Sequence, residues 1–241
     1  MPNKVFISFL LAILVCSCQK ETVNIPFPYP NSKAWAHRVN TLEEARAKSS
    51  VFEGLEIDLF YSQSRDQLLL GHDSQDTIEG LYLDTWLEAV EKPAAHFYWF
   101  DLKNLNTNNA ARIANVIIRI AEKWQITNHV MVEQWDISAL KIMKSHGLYV
   151  ILWAENPYQS GQNEEEWRIT MQNDIDELHP DAISGNSQMF PLLPESFPEQ
   201  NIHLWDTPKE YNEANVEHTL MLMSHPSVKV VLVDYPEPVT P

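Results

Sequence analysis

Three carboxylates and a lysine lie at the ends of apolar segments, with the spacing that a metal–phosphate site requires. Glu56 and Asp58 alternate with aliphatic residues in Leu-Glu-Ile-Asp-Leu, and Asp101 and Lys103 alternate in Phe-Asp-Leu-Lys. In a β-strand, residues two apart share a face, so each pair projects to one side. Neighbouring carboxylates repel and are costly to desolvate unless a cation lies between them. We therefore predict that Glu56, Asp58 and Asp101 bind one divalent cation, Mg²⁺ or Ca²⁺.

Two of the nine histidines are placed for proton transfer beside these carboxylates. His37 lies in Ala-His-Arg and His72 in Gly-His-Asp, each at the end of a predicted β segment. Imidazole titrates near neutral pH, so one histidine can act as general base and the other as general acid, in either order. Lys103 can hold a phosphate oxygen as a point charge. The other seven histidines, His203 among them, fall in turn or helix contexts and are predicted to be structural.

A structural explanation of the same residues is also open. Glu56 and Asp58 can belong to an edge strand with a solvated acidic face, and Asp101 can simply neutralise Lys103. The opposite face of the Glu56 strand is wholly aliphatic, which favours packing against helices with the carboxylates at a barrel mouth. The combination of both pairs with two histidines favours the metal site.

Apolar segments of β type alternate along the chain with segments of helical periodicity. The predicted strands are Ala34–Val39, Gly54–Tyr61, Gln67–Leu70, Phe97–Lys103, Val130–Trp135, Tyr149–Glu155, Ala182–Gly185, Ile202–Trp205 and Lys229–Asp234. The predicted helices are Thr41–Ser49, Tyr82–Glu91, Asn108–Trp124, Ile137–Ser145, Glu164–Glu177 and Glu210–Met223. The Gln67–Leu70 segment is an extension after the second strand, so eight main strands remain. This α/β pattern indicates a (β/α)8 barrel or a doubly wound sheet.

The positions of the polar residues distinguish the two architectures. They follow at least three different strands, as expected at the C-terminal face of a barrel. A doubly wound nucleotide-binding sheet would carry a glycine-rich turn after the first strand, and no glycine follows Val39 before Gly54. We therefore predict a compact, single-domain (β/α)8 TIM barrel over residues 34–241. It lacks a last outer helix, and the segment before it is expected to cover its bottom.

The first 33 residues carry the signals of export and attachment. Lys4 precedes an apolar run of signal-peptide length, so residues 1–17 are predicted to be a signal peptide. Val-Cys-Ser-Cys then resembles the bacterial lipobox, which makes Cys18 the expected lipidated residue. Residues 18–33 form a Pro-rich tether. The expected location is the bacterial cell envelope, at the outer membrane or in the periplasm, with plain secretion as the alternative.

The charge of the chain limits its partners. Its 33 acidic and 17 basic residues give a formal net charge of −16, and no basic stripe suited to nucleic acid occurs. An acidic protein is repelled by anionic membranes, so we expect membrane contact only through the lipid anchor. Both cysteines precede the barrel, which therefore contains no disulfide. A monomer acting on a small or zwitterionic substrate is expected.

Seven short motifs span the chain from the first predicted strand to the last. They are Ala36-His37-Arg38, Asn40-Thr41-Leu42, Glu56-Ile57-Asp58, Gly71-His72-Asp73, Asp101-Leu102-Lys103, Leu204-Trp205 and Asp234-Tyr235-Pro236. Together, and in this order, they resemble the glycerophosphodiester phosphodiesterases. The resemblance implies that the two histidines form an acid–base pair. It also implies that the Glu-x-Asp pair and the acidic residue before x-Lys are metal ligands.

Three departures from that family concern the substrate. Val39 stands where the family has a glycine, the insertion before Asn-Thr-Leu is missing, and Asp101 replaces a glutamate. Phe-Asp-Leu-Lys and the late Trp205 are instead similar to the sphingomyelinase D/phospholipase D branch. The resemblance therefore defines the superfamily more firmly than the substrate.

Further residues are candidates for binding the substrate. Five tryptophans cluster toward the predicted strand ends, where aromatic faces attract quaternary ammonium groups: Trp35, Trp99, Trp135, Trp153 and Trp205. Filling of a narrow barrel explains most of them, and only Trp205 has the resemblance behind it. Arg38 points away from His37, which favours a brace to a loop or carboxylate, and it is the second candidate for substrate binding. Glu133 and Glu155 are weaker candidates for binding amines or hydroxyls.

These observations predict a metal-dependent phosphoric diester hydrolase. Its substrate is expected to be a glycerophosphodiester or the head group of a lysophospholipid or sphingolipid. The nucleophile is water or a neighbouring substrate hydroxyl, and the latter would give a cyclic phosphate. The alternative is a non-catalytic surface lipoprotein barrel that binds a phospho-head group or a glycan.

The predicted attachment has a direct test. Stable anchoring takes more than one acyl chain, each contributing about 0.8 kcal/mol per buried CH₂. We expect the wild-type protein to partition into detergent and Cys18→Ala to remain in the aqueous phase. A wild-type protein found wholly in the aqueous phase would indicate ordinary secretion.

Overall fold

The computed structural model describes residues 27–77, 79–205 and 207–239, which form nine strands and eight helices. The strands are β1 (Ala34–Ala36), β2 (Gly54–Ser62), β3 (Gln67–Leu70), β4 (Phe97–Leu102), β5 (Val130–Gln134), β6 (Tyr149–Trp153), β7 (Ala182–Asn186), β8 (Ile202–Trp205) and β9 (Val228–Val233). The helices are α1 (Leu42–Ser49), α2 (Leu83–Leu87), α3 (Ala110–Trp124), α4 (Ile137–Ser145), α5 (Pro157–Ser160), α6 (Glu164–Leu178), α7 (Leu192–Ser196) and α8 (Glu213–Ser224). The predicted signal peptide, Cys18 and the first part of the tether lie outside the described residues. Within these ranges, no helix is both long and apolar enough to cross a membrane.

Eight of the strands close into a parallel barrel. Their order is β1-β9-β8-β7-β6-β5-β4-β2, and β1 pairs with β2 to complete the circle. The remaining strand, β3, pairs antiparallel with the end of β2, as the predicted extension requires. The predicted (β/α)8 barrel is therefore confirmed, and the C-terminal ends of its eight strands form one face.

Helix boundaries follow local capping chemistry. Thr41 and Glu44 form a capping box at the start of α1. The Asp136 carboxylate accepts a hydrogen bond from the Ala139 amide at the start of α4, 3.0 Å away. The helix predicted over Tyr82–Glu91 is shorter than expected and ends at Leu87. Lys92, directly before Pro93, has a left-handed backbone conformation that a helix could not include.

Alternate residues of the strands fill the barrel in layers. Seven apolar residues form the middle layer: Trp35, Trp99, Met131, Ile151, Ala182, Val230 and Leu232. A Cβ atom added at Gly54 would lie 2.0 Å from Cδ2 of Trp35. The glycine therefore makes room for the Trp35 indole inside the barrel, and Trp35 and Trp99 are packing residues.

The end of the predicted tether covers the bottom of the barrel. The Phe27 ring lies 4.8 Å from that of Tyr149 and 5.8 Å from that of Phe97, between centroids, and both partners begin strands. The Tyr29 hydroxyl hydrogen-bonds His203 Nε2 at 3.0 Å and also contacts the Tyr149 hydroxyl. The expectation that the preceding segment covers the bottom is confirmed. The turn or helix context expected for His203 is wrong, since it lies in β8.

The buried histidine predicts an acid-dependent loss of stability. Burial lowers the pKa of His203 from 6.5 to about 3. Between these values the unfolded chain binds a proton that the folded chain does not, so the free energy of unfolding falls as the pH falls. His203→Gln keeps an amide near Tyr29 but cannot titrate. We expect the variant to lose less stability, by up to about 1.4 kcal/mol per pH unit.

Urea denaturation at pH 7, 5 and 4 measures this difference. Comparing each pH with pH 7 within the same variant removes the direct effect of the substitution on packing. Equal acid-dependent losses in the two proteins would contradict the role assigned to His203.

Candidate functional site

A cavity of about 170 Å³ lies at the C-terminal ends of the barrel strands. It brings together all eight site residues that the sequence nominates within the barrel: His37, Arg38, Glu56, Asp58, His72, Asp101, Lys103 and Trp205. Its walls also include Trp99, Glu133, Trp153 and Leu232. The mouth of the barrel is therefore the candidate active site.

The three predicted metal ligands converge in this cavity. Asp58 and Asp101 are direct partners in the register between β2 and β4. Glu56 precedes Asp58 by two residues and faces the same way. One ligand atom from each of the three carboxylates lies within 4.8 Å of those from the other two.

Lys103 and Asn40 hold this carboxylate cluster together. The Lys103 ammonium lies 2.7 Å from Oδ1 of Asp58 and also contacts Asp101. Burial disfavours its charge, but the two aspartates outweigh burial and raise the pKa of Lys103. The Asn40 amide donates to Oδ2 of Asp58 at 2.6 Å, and its carbonyl oxygen accepts from the Asp58 backbone at 3.0 Å. Asp58 is therefore fixed from two sides.

The cluster carries more negative charge than its neighbours balance. Burial, together with the charges of Asp58 and Asp101, raises the pKa of Glu56 well above its usual range. Burial and the charge of Asp58 likewise raise the pKa of Asp101, against the opposing effect of Lys103. Burial also acts on Asp58, but Lys103 and Asn40 outweigh it and lower the pKa of that residue. One ammonium thus faces three carboxylates.

The donor set fits a hard divalent cation. Two oxygen atoms bound to one Mg²⁺ or Ca²⁺ at about 2.0–2.6 Å lie within roughly 5 Å of each other. The three carboxylates meet this condition, and two positive charges would balance their excess charge. Glu56, Asp58 and Asp101 are therefore the residues that would hold the ion.

His37 is oriented by a carboxylate from the last strand of the barrel. Its Nδ1 lies 3.1 Å from Oδ1 of Asp234, which follows β9. Its Nε2 lies 3.9 Å from Oε2 of Glu56, toward the cluster. Burial opposes ionisation of Asp234, but the contact with His37 outweighs it and lowers the pKa of the aspartate. Asp234 appears in a sequence motif, but no local signal predicted that it orients His37.

Arg38 contributes through its backbone. It has a positive φ of 52°, which is unusual for a residue other than glycine. Its amide donates to Oε2 of Glu56 at 2.7 Å. The left-handed turn at Arg38 therefore gives the buried Glu56 carboxylate a hydrogen-bond donor. It also ends β1 at Ala36, three residues before the predicted end at Val39. The Arg38 side chain is exposed at the rim of the cavity.

His72 reaches the cavity from the turn that follows β3. Gly71 before it has a φ of 149°, and an added Cβ would lie 2.9 Å from the Thr77 amide nitrogen. The glycine therefore permits the close turn that presents His72. His72, Asp73 and Asp76 form a second group with potential ligand atoms within 4.8 Å, but all three are exposed. Asp73 already accepts hydrogen bonds from the amides of Gln75 and Asp76.

Glu133 lies beside the cluster, as the register partner of Asp101. It accepts hydrogen bonds from Trp99 Nε1 at 3.0 Å and from the Ser184 hydroxyl. Burial, followed by the charge of Asp101, raises the pKa of Glu133 to about 8. It is therefore mostly protonated at neutral pH and adds little charge to the site. Glu155, by contrast, is exposed at the mouth.

The comparisons with known proteins bear on the fold. No protein-family model matches the chain, and no curated protein matches it. An Oleispira antarctica phosphodiesterase, solved in complex with its product sn-glycerol-3-phosphate, is 13% identical with a TM-score of 0.62, over 86% of this chain and 94% of that one. A glycerophosphodiester phosphodiesterase from Parabacteroides distasonis gives the same four values.

A calcium-dependent phosphoinositol-specific phospholipase C from Pseudomonas is 9% identical, with a TM-score of 0.56, over 86% of this chain and 89% of that one. At such identities the similarity shows the fold alone. The chain therefore shares its barrel fold with these phosphodiesterases, which is the fold that its motifs implied.

The charge imbalance of the cluster predicts that Lys103 stabilises the metal-free protein. Lys103→Met would leave Asp58 and Asp101 facing each other in a largely buried site. Removing one partner of a buried ion pair costs about 3–5 kcal/mol, so we expect the free energy of unfolding to fall by about 3 kcal/mol in EDTA. Millimolar Mg²⁺ or Ca²⁺ should restore part of this loss, as measured by urea denaturation.

Lys141→Met is the matched control. Lys141 pairs with Glu177 at 2.8 Å, but both side chains are exposed. Exposed pairs contribute about 0–1 kcal/mol, so the control should change little, with or without metal. A Lys103→Met protein as stable as wild type in EDTA would contradict the prediction.

Proposed function

We propose that the chain is a metal-dependent phosphoric diester hydrolase that acts on a small phosphodiester or phospholipid head group. The observation that carries this proposal is the convergence of the three carboxylates Glu56, Asp58 and Asp101 with Lys103 and His37 in one cavity. His37 is in turn held by Asp234. The fold is shared with the phosphodiesterases above, one of which is described with sn-glycerol-3-phosphate as its product. The calcium dependence stated for the Pseudomonas phospholipase supports a divalent cation.

The side chains have separate tasks in such a reaction. A bound Mg²⁺ or Ca²⁺ would polarise a phosphate P–O bond and neutralise developing charge. Lys103 adds a fixed positive charge beside the phosphate oxygens. Asp234 accepts the Nδ1 proton of His37, which leaves Nε2 facing the cavity to accept or donate a proton. His72 supplies the second proton-transfer group, and Trp205 lines the cavity as a substrate contact.

A non-catalytic binding barrel is the competing proposal. It would explain the oxygen ligands and Lys103, since both can hold a phosphate group. The His37–Asp234 pair favours catalysis, because a histidine held in one tautomer beside a phosphate serves proton transfer.

Turnover of glycerophosphodiesters tests the proposal. We expect wild type to release glycerol 3-phosphate from glycerophosphocholine or glycerophosphoglycerol, with loss of activity in EDTA and recovery on addition of Mg²⁺ or Ca²⁺. A cyclic phosphate product, resolved by ³¹P NMR, would identify a substrate hydroxyl as the nucleophile. Removing a general acid or base typically costs about 10²–10⁴ in rate, so His37→Ala and His72→Ala should lose at least that much.

Two further variants separate positioning and metal binding from folding. Asp234→Asn should lower kcat and shift the pH profile, because the His37 tautomer is no longer held. Glu56→Gln should weaken metal binding in calorimetry, whereas Glu122→Gln, an exposed change on α3, should leave binding and rate unchanged. Binding of phosphodiesters without turnover, at any metal concentration, would favour the non-catalytic alternative.

A further inference from the structure

A second and larger cavity opens beside the site. It has a volume of about 540 Å³, against about 170 Å³ for the site itself, and lies between the ends of β5 and β6 and helix α6. The two cavities share Asp101, Lys103 and Trp153 among their walls. A phosphate group held at the carboxylate cluster would therefore direct one of its ester substituents into the larger cavity, named here the α6 groove.

The α6 groove has an exposed indole on its wall. Trp135 is 67% exposed, the highest value among the large apolar side chains that the structure describes as exposed. The Gln134 side chain holds the Trp135 backbone in place, because it donates to the Leu102 carbonyl at 2.6 Å and accepts from the Trp135 backbone amide at 2.7 Å. An indole left in water on the wall of a groove indicates a surface for a flat apolar ligand face.

Hydrogen-bonding side chains surround this aromatic surface. Gln162, Thr170, Glu155 and Asp174 all line the groove. The Glu155 backbone is held by a hydrogen bond from Trp167 Nε1, 2.9 Å in length. Apart from Lys103 at the site itself, the lining contains no lysine or arginine, so nothing in it would neutralise a second anionic group.

The combination of these walls defines a ligand chemistry. A sugar ring presents an apolar C–H face that can lie on an indole, and hydroxyls at its edge that pair with amide, hydroxyl and carboxylate groups. A small quaternary ammonium group needs aromatic faces within about 6 Å around it. The groove is much larger than such a group, and its size falls in the range of about 300–1,000 Å³ typical of larger ligands.

We propose that the α6 groove binds a sugar ring, so that the substrate is a phosphodiester with a sugar as one of its two alcohols. This inference rests on the proposed diesterase activity for its catalytic consequence. It assigns Trp135 as the residue on which the ring stacks, and Glu155 and Asp174 as acceptors for sugar hydroxyls.

A series of diesters that share a glycerol 3-phosphate half tests the inference. The other alcohol is a hexose esterified through its 6-hydroxyl (glucose, galactose, mannose or N-acetylglucosamine), cyclohexylmethanol, choline or methanol. Release of glycerol 3-phosphate gives kcat/KM for each. We expect the best hexose ester to exceed the cyclohexylmethyl and choline esters by about tenfold or more, the size of one good aromatic contact with its hydrogen bonds. The methyl ester reports the basal reaction.

Matched variants connect this preference with the groove. Trp135→Leu should lower kcat/KM for the best hexose ester by about tenfold and leave the methyl ester unchanged. Tyr211→Leu removes another exposed aromatic residue, outside the groove, and should change neither. Glu155→Gln with Asp174→Asn keeps hydrogen-bonding oxygens but removes charge, so the hexose preference should survive. A choline ester that is preferred in wild type, and loses its advantage in this double variant, would overturn the proposal in favour of a cation site.

Binding measured without turnover separates this inference from the proposed function. Saturation-transfer NMR with the methyl glycosides of the four hexoses, and with tetramethylammonium, requires no hydrolysis. Glycoside binding that Trp135→Leu abolishes would support the groove even if every diester were left intact, which would refute only the diesterase activity. Hydrolysis of the methyl ester, with no hexose preference and no glycoside binding, would overturn the sugar site and leave the diesterase standing.

Discussion

Repulsion between neighbouring carboxylates is the constraint around which the barrel mouth is built. The register of β2 with β4 sets Asp58 beside Asp101, and Glu56 faces the same cavity. Burial alone would drive such groups to take up protons, and protonated carboxyls are poor metal ligands. The surrounding contacts oppose this, with the Lys103 ammonium between the two aspartates and the Arg38 amide on Glu56. Each contact offers a positive charge or a donor. These contacts outweigh burial at Asp58, whose pKa is lowered, but not at Glu56 and Asp101, whose pKa values stay raised.

The charged side chains inside the barrel lie at its mouth, because the layer of residues below them is apolar. Glu133 of β5, the register partner of Asp101, is mostly protonated at neutral pH. It links three strands, since it accepts hydrogen bonds from Trp99 in β4 and Ser184 in β7. The aromatic and aliphatic middle layer fills the barrel below the mouth, and Phe27 and Tyr29 cover the bottom. The charged cluster therefore faces the C-terminal end of the barrel, where a ligand would enter.

The sequence predicts which residues of one strand share a face, but it does not predict how distant strands pair. Glu56 and Asp58 share a face because strand geometry has a period of two, and this holds whatever their partners are. The His37–Asp234 contact joins residues 197 positions apart, and it depends on β1 closing against β9 in one register. A shift of one residue in that pairing would turn Asp234 to the other face, and no local pattern specifies the register. The α6 groove was missed for the same reason, since its walls come from two strands and a helix whose packing is set by closure of the barrel.

Under the proposed function, the two cavities at the mouth would divide recognition of the phosphate from recognition of its substituent. The smaller one contains the fixed charges, and charges of this kind act on any phosphodiester alike. The larger one has an indole and hydrogen-bonding groups but adds no cation of its own, so it would discriminate between substituents by shape and hydroxyl pattern. Trp153 lines both cavities, whereas Glu56 and Asp58 line only the smaller one. A substitution elsewhere in the groove would therefore change the contacts of the substituent and leave these two carboxylates in place. Phe27 and Tyr29 lie at the opposite end of the barrel from both cavities.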